Sequence, residues 1–455
     1  MMHTYNLKVE IPLILNQKNG FSPGFLSLLF ALLFSVQSSL AGDFKAAVVK
    51  ENITPKVSKY LLGYGSRQSE GILDSLYHQI LILDDGNSTF ALVSTDICVL
   101  SPATYDRVAG LVEQKFGIPR HNFWWSVTHT HSAPEVGPPG LPEAFMGERY
   151  THPIDTSYTE LVTNTLLNGI ERGIEELAPA SLGVGWGHSF ANINRRARDI
   201  DDIAFLGLNP DGPVDRKIGI IKIVHKDDHR LMATIANYAI HGTVLGGQNL
   251  LISGDAPGVV AKYVEEKSGA PLLFINGAAG NIAPIYSVYP DARSGRLNQF
   301  RRLLGDKILT GSNEIQNYED QVSFSASEME FLTPVKEGLK WPEALNDYLV
   351  DPTADAKIIK LPARFLNIND KIGIWASPLE LFCEISNEVR DRSPFPYTFY
   401  FGYTNGWLGY MVTEEEWAYK GYEPSVSPFV PNAGERFGEA VLSYLQSELK
   451  SKNLK

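Results

Sequence analysis

Cysteine is nearly missing: Cys98 and Cys383 are the only two in 455 residues. Two cysteines cannot build a disulfide scaffold, and neither sits in the paired spacing of a thiolate metal site. Their apolar settings, Thr95-Asp-Ile-Cys-Val-Leu100 and Leu381-Phe-Cys-Glu-Ile385, favour buried, reduced thiols and leave a single Cys98–Cys383 disulfide as the open alternative. Any metal must therefore rely on histidine, carboxylate or tyrosine. Positive charge is also short, since 40 Lys and Arg face 52 Asp and Glu, a net charge of −12 with no basic cluster. Phosphate backbones and anionic bilayers repel such a chain, which argues against nucleic acid as a partner. Internal repeats, low-complexity runs and Pro/Ser linkers are missing too. The apolar run Phe25–Val36 has twelve residues, whereas a bilayer span needs about 20. With Ser39-Leu40-Ala41 after it and Lys8 and Lys18 before it, the run reads as the core of an export signal. The expectation is a signal peptide over residues 1–41 and one continuous domain over 43–455. The mature chain then has no transmembrane segment and works in an exported location: periplasm, cell surface or outside. No feature fixes an oligomeric state.

Regular structure is abundant. Strands are expected at Phe44–Lys50, His78–Leu83 and Thr89–Thr95, with Asp84-Asp85-Gly86 as a hairpin turn between the last two. Further strands are expected at Asn122–His131, Lys217–Val224, Leu231–Ala239, Leu272–Ile275, Ile372–Ala376 and Tyr397–Gly402. Apolar spacing predicts helices over Ala103–Phe116, Tyr158–Leu177 and Ala256–Lys267. Interleaved helices and strands argue an α/β or mixed α+β fold, built on a large mixed sheet system flanked by helices. His225-Lys-Asp-Asp-His229 reads as a solvated hairpin turn. The Gly- and Pro-rich stretch Ala133–Gly147 could wall a cleft, and Thr333–Ala356 reads as a surface excursion.

The most informative segment is Phe123-Trp-Trp-Ser-Val-Thr-His-Thr-His131. Alternate residues of a strand share a face, so His129 and His131 would emerge together at its carboxyl end, about 7 Å apart. That end is where open α/β sheets place ligands. The pair suits two metal ligands, or one ligand beside an acid–base group. His241 closes a second apolar run, Ile235–Ile240, in the same way. Asp255 either accepts a ligand histidine's free N–H or caps the helix that follows it, and the cap is favoured. Ser377-Pro-Leu-Glu380 fits a helix start with Glu380 at its third position, as well as a metal carboxylate; Glu384 would share its face. Two histidines, a carboxylate and a further N or O donor suit a hydrolytic zinc site.

These residues fall in an ordered set of motifs: Ser126-Val-Thr-His-Thr-His-Ser132, Ile193-Asn-Arg195, His241 with Leu251-Ile-Ser-Gly-Asp255, and Pro378-Leu-Glu380. Asn405-Gly-Trp-Leu-Gly-Tyr410, Thr413-Glu-Glu-Glu416 and Tyr422-Glu423 close the set. The set resembles the catalytic domain of the neutral/alkaline, non-lysosomal ceramidases over nearly the whole mature chain. The resemblance implies Zn²⁺ held by His129, His241, Glu380 and Tyr410. It also implies His131 as the acid–base group and Arg195 as a positive group near the reacting carbonyl. Without it, Tyr410 is a strand aromatic and Arg195 half of a surface pair with Arg196. It further implies hydrolysis of an N-acyl bond in a ceramide-like lipid. Two departures stand out. The family's Gly-Asp-Val-Ser-Pro-Asn reads Gly280-Asn-Ile-Ala-Pro-Ile285, so the family's serine, a nucleophile or a contact to the ceramide hydroxyl, is Ala283. That excludes a serine nucleophile at this position and bears on substrate choice. The immunoglobulin-like domain that often follows in the family is expected to be absent. The alternatives are a zinc hydrolase of the same fold acting on another ester, amide or glycan-linked substrate, and a non-catalytic exported binding protein.

Overall fold

The computed structural model describes residues 43–137, 155–286 and 294–452. The expected signal segment and most of the loop after the two histidines lie outside these. Residues 42–455 group as one compact unit.

Eight strands form the main sheet. In chain order they are β1 (Lys45–Asn52), β2 (Tyr77–Asp84), β3 (Thr89–Thr95), β4 (Phe123–Val127), β5 (Ala178–His188), β6 (Lys217–His225), β7 (Leu231–Tyr238) and β8 (Leu272–Asn276). Their spatial order is β8-β7-β6-β5-β1-β2-β3-β4. The outer pairs β3/β4 and β7/β8 are parallel, whereas the inner pairs are antiparallel. The β2–β3 hairpin turns where expected, and Asp84 and Asp85 accept the amides of Gly86 and Ser88. The His225–His229 turn joins β6 to β7 as expected. A second sheet has four strands, β9 (Phe324–Pro334), β10 (Ile358–Ile368), β11 (Ile372–Ala376) and β12 (Tyr397–Phe401), in that order.

Alternation along the strands sorts the layers. Leu81, Leu83, Phe90, Leu92, Ile221, Ile223, Leu273 and Ile275 pack with Leu366, Ile368, Ile374 and Phe399 of the second sheet. The opposite face of the main sheet, with Val49, Ile80, Ile82, Val93 and Trp125, meets helices α1 (Pro102–Phe116) and α2 (Thr156–Glu175). Ile218, Ile220, Ala236 and Phe274 on that same face meet α3 (Asp255–Ser268) through Val259, Val260 and Val264. Helices α4 (Cys383–Arg392) and α5 (Ala433–Lys452) cover the far side of the second sheet through Val389, Phe437 and Val441, against Phe365 and Trp375. The result is a helix–sheet–sheet–helix sandwich, the mixed α/β class expected.

The main sheet curls until its ends meet. Ser94 Oγ on β3 donates to Phe274 O on β8 at 2.6 Å. Asn276 Nδ2, at the end of β8, donates to Thr128 O just beyond β4 and to Ile240 O just beyond β7. Chain ends that are far apart in strand order are thus clamped together by one amide.

Three expectations need correction. Thr333–Ala356 is no free excursion, because Trp341, Leu345 and Leu349 are buried in the core. The helix expected from Ser377 does not form: Glu380–Leu381 is a two-residue strand paired in parallel with Tyr410–Met411, and α4 starts only at Cys383. Ser377 Oγ instead bonds the Tyr400 hydroxyl, so Glu380 and Glu384 are not one helical turn apart. The strand expected over Asn122–His131 stops at Val127.

Candidate metal centre

His129 lies two residues beyond β4, with its backbone in the left-handed region at φ 62°. A non-glycine residue there is strained, and Asp255, Tyr403 and Asn405 close by share the strain at φ 52°, 52° and 65°. The left-handed turn breaks the strand's alternation. In place of the expected separation of about 7 Å, the His129 and His131 rings lie edge to face with centroids 4.7 Å apart. Thr130 forms a parallel bridge with Gly242; His131 N donates to Gly242 O, and Gly242 N to His129 O. A Cβ on Gly242 would lie 2.6 Å from His129 O and from Thr130 Cα, so only glycine lets the two loops touch. This contact, made possible by the curled sheet, sets His241 beside His129 with ring centroids 4.6 Å apart.

The tautomers follow from the partners. His129 Nδ1 is 2.7 Å from Cys98 O, and His241 Nδ1 is 2.9 Å from Ile282 O. A carbonyl only accepts, so each Nδ1 carries its proton and each ring, when neutral, presents an Nε2 lone pair. Both lone pairs face one carboxylate oxygen: Glu380 Oε2 lies 3.3 Å from His129 Nε2 and 3.1 Å from His241 Nε2. Three buried acceptor atoms converge there, an arrangement that a shared proton or a metal ion would satisfy, and Arg195 Nη1 also reaches His241 Nε2. His129, His241 and Glu380 form a group able to hold a metal ion, and the N, N, O set with backbone-anchored imidazoles is one that zinc accepts. Cys98, His129 and His131 form a second such group. Burial raises the Glu380 carboxyl, but the neighbouring His129 and His241 hold it well below the usual range. Burial lowers His129, and the Glu380 charge together with Cys98 outweighs this and lifts it to about 10. Burial and the Arg195 charge push His241 down to about 3.

His131 stands apart from that convergence. Its Nε2 is 3.2 Å from His129 Nε2, and its Nδ1 is buried with no partner. Burial and the other imidazoles push it well below its ordinary value. Arg195 and Arg196 are both buried, which overturns the surface-pair reading. Arg195 donates from Nε to Glu423 Oε1, from Nη1 to His241 Nε2 at 3.0 Å, and from Nη2 to the Tyr410 hydroxyl at 3.2 Å. Arg196 is gripped by Glu416 and Glu423. Tyr410 is buried, its strand residue paired with Glu380, and Tyr422 meets its ring edge-on at 5.8 Å.

Asp255 does not touch either ligand-type imidazole, whose Nδ1 atoms are taken by carbonyls. It is the first residue of α3, and its carboxylate accepts the amides of Val244, Leu245 and Ala256. It therefore braces the loop after His241. Ala283 lies in the short strand Ile282–Pro284, against Ile193. Both cysteines are free and buried, as expected. Sequence reasoning missed two groups, Trp407 and Tyr403. Trp407 Nε1 donates to Glu380 Oε1 at 2.8 Å and the Tyr403 hydroxyl to Oε2 at 3.3 Å. The Asn405–Tyr410 motif carried the signal: Asn405 exchanges bonds with the Trp125 backbone and so ties this loop to β4.

Comparison with known proteins gives a consistent result. The profile of the neutral/alkaline non-lysosomal ceramidase N-terminal region matches residues 44–280. The chain is 25% identical over 286 residues to a neutral ceramidase of Pseudomonas aeruginosa, covering 58% of this chain and 41% of that protein. It is 24% identical over 226 residues to neutral ceramidase B of Dictyostelium discoideum, covering 47% of this chain and 29% of the other. For neutral ceramidase 2 of Arabidopsis thaliana the figures are 26% over 262 residues, 54% and 32%. The chain thus spans less than half the length of these curated relatives. The crystal structure of the Pseudomonas aeruginosa neutral ceramidase superposes with a TM-score of 0.70 at 17% identity, over 88% of this chain and 73% of that one, a shared fold.

Proposed function

Because the chain belongs to the neutral/alkaline non-lysosomal ceramidase family, we propose that it is an exported, zinc-dependent amidohydrolase that cleaves the N-acyl bond of a ceramide-like lipid. The observation that carries the reading is the convergence of two imidazole lone pairs and one carboxylate oxygen at a buried point. His129, His241, Glu380 and Tyr410 would hold the ion. Zinc, when bound, makes coordinated water more acidic and polarises a carbonyl. The residues of the chain do the rest. His131, kept neutral by burial, takes a proton from the attacking water and delivers it to the leaving amine. Arg195 faces the developing oxyanion with Nη1, the donor that rests on His241, while Glu423 fixes its guanidinium plane. The Tyr64 ring lies edge to face against His131 with centroids 4.9 Å apart and is 39% exposed, an apolar surface beside the imidazole. That suits an acyl chain. No helix among the described residues is long and apolar enough to cross a membrane.

Ala283 favours a second reading, the same chemistry on a different amide or ester, because alanine cannot bond a ceramide hydroxyl. The test is fatty-acid release from ceramide by purified protein, with metal analysis, before and after chelation. Chelator-sensitive release is expected, and His241→Ala should lose metal and activity together. Release that persists without bound metal would overturn the zinc reading. No release from folded, zinc-loaded protein would move the substrate to the second reading.

A further inference from the structure

The two oxygens of Glu380 have different company. Oε2 faces the His129 and His241 nitrogens and the Tyr403 hydroxyl. Oε1 receives the Trp407 indole N–H at 2.8 Å. An indole N–H only donates and does not titrate in the working range, so it stays on Oε1 at every pH. Trp407 and Glu380 are 6% and 3% exposed, which leaves bulk water little access to replace the bond. The backbone reinforces it: Glu380 N donates to Gly409 O and Leu408 N to Pro378 O, so the indole and the carboxylate ride on one paired segment.

We propose that Trp407 is a positioning residue that keeps Oε1 away from the metal, makes Glu380 a one-oxygen ligand, and so sets the preference of the site for zinc over larger, oxygen-seeking cations. A free carboxylate can offer one oxygen or two. Zinc settles for four or five N and O donors, whereas manganese favours six, mostly oxygen. Holding Oε1 on an indole keeps the donor count low. The inference rests on the metal reading above.

The test compares Trp407→Phe with Tyr403→Phe, each of which removes one donor from the same carboxylate. The protein is loaded with Co²⁺ for its visible absorption, and zinc is competed against Mn²⁺ with metal analysis of the dialysed protein. Trp407→Phe is expected to weaken the intense low-coordinate Co²⁺ band and to erode the preference for zinc by about 10–100-fold. Tyr403→Phe, with Oε1 still capped, should keep the band. A Trp407→Phe protein with wild-type band and preference overturns the inference. Should that variant not fold, X-ray absorption on the zinc-loaded wild type decides. Five near N/O neighbours are expected, one atom each from His129, His241, Glu380 and Tyr410 and one water, and six overturn it. A wild type that takes up no metal overturns the metal reading itself, and this inference with it.

Discussion

Gly63→Ala should slow the proposed hydrolysis without emptying the proposed metal site. Gly63 has φ +114°, and a Cβ there would sit 2.5 Å from both Cγ and Nδ1 of His131. The loop cannot back away. Leu62 N is bonded to Ala133 O, and Arg67 Nη2 donates to Leu62 O and to His131 O on either side of the contact. Ordinary carbon contact begins near 3.4 Å, so the imidazole must shift by about 1 Å. Its unpartnered Nδ1 offers no hydrogen bond to resist the shift. Left-handed strain and crowding together should cost about 2–4 kcal/mol of stability. A misplacement of that size can cost about 10²-fold in rate. Metal content should hold, since the three atoms nearest the new methyl all belong to His131. The assay is kcat and zinc content for Gly63→Ala, His131→Ala and the double variant. Once the His131 ring is gone, adding Gly63→Ala should slow the reaction no further, although the strain on stability stays. Wild-type kcat in Gly63→Ala, or an equal slowing in the His131→Ala background, would refute the idea that ring placement is what Gly63 protects.

Two other consequences can be read from buried charge. Glu423 bridges Arg195 and Arg196, and all three are buried. Glu423→Ala leaves two guanidinium groups short of a counter-charge, so a loss of about 3–5 kcal/mol in urea unfolding is expected, and a loss under 1 would show that the pair is readily rehydrated. Asp96 is buried, and desolvation, opposed by the Tyr77 amide, raises its carboxyl from 3.8 to about 7. The folded state therefore holds a proton that the unfolded state gives up, so this contribution to stability is whole below pH 4 and is lost as pH rises through about 7. The loss is on the order of 4 kcal/mol. Asp96→Asn can still accept from Tyr77 N and bond Thr128 Oγ1, the two partners of Asp96. It should be the more stable protein above pH 7, and stability–pH curves that run parallel to wild type would contradict the assignment.

What the sequence could and could not say about this site follows from how far each signal reaches along the chain. Trp125–His131 and Ile235–His241 are mostly apolar runs that close on histidine, and a strand's periodicity is a local property, so both strands were legible, although the first stops at Val127 and not at His131. The left-handed turn at His129 was not legible, because histidine enters that region more often than most residues but too rarely to announce it. It is imposed by the Gly242 contact, which requires β8 to lie beside β4 although they are opposite ends of the strand order. Glu380 misled for the same reason. Ser-Pro-x-Glu is a sound helix start taken alone, and it was overridden by pairing with Tyr410, thirty residues on. The strand β5 went unread because Gly183, Gly185 and Gly187 occupy one of its faces. There Ile315 and Tyr318 press against the bare backbone at Gly183, as Ile315 does at Gly185. Trp407 shows the limit most clearly. Its indole is core by composition, and only the position of Glu380 Oε1 turns its N–H into a functional group. Residues that present a ligand atom can be found by their type. Residues that decide which atom is presented are found only once the long-range pairing is known, and in this chain they come from the loop between Phe401 and Tyr410, where Tyr403 and Asn405 carry the strain that brings the indole to the carboxylate.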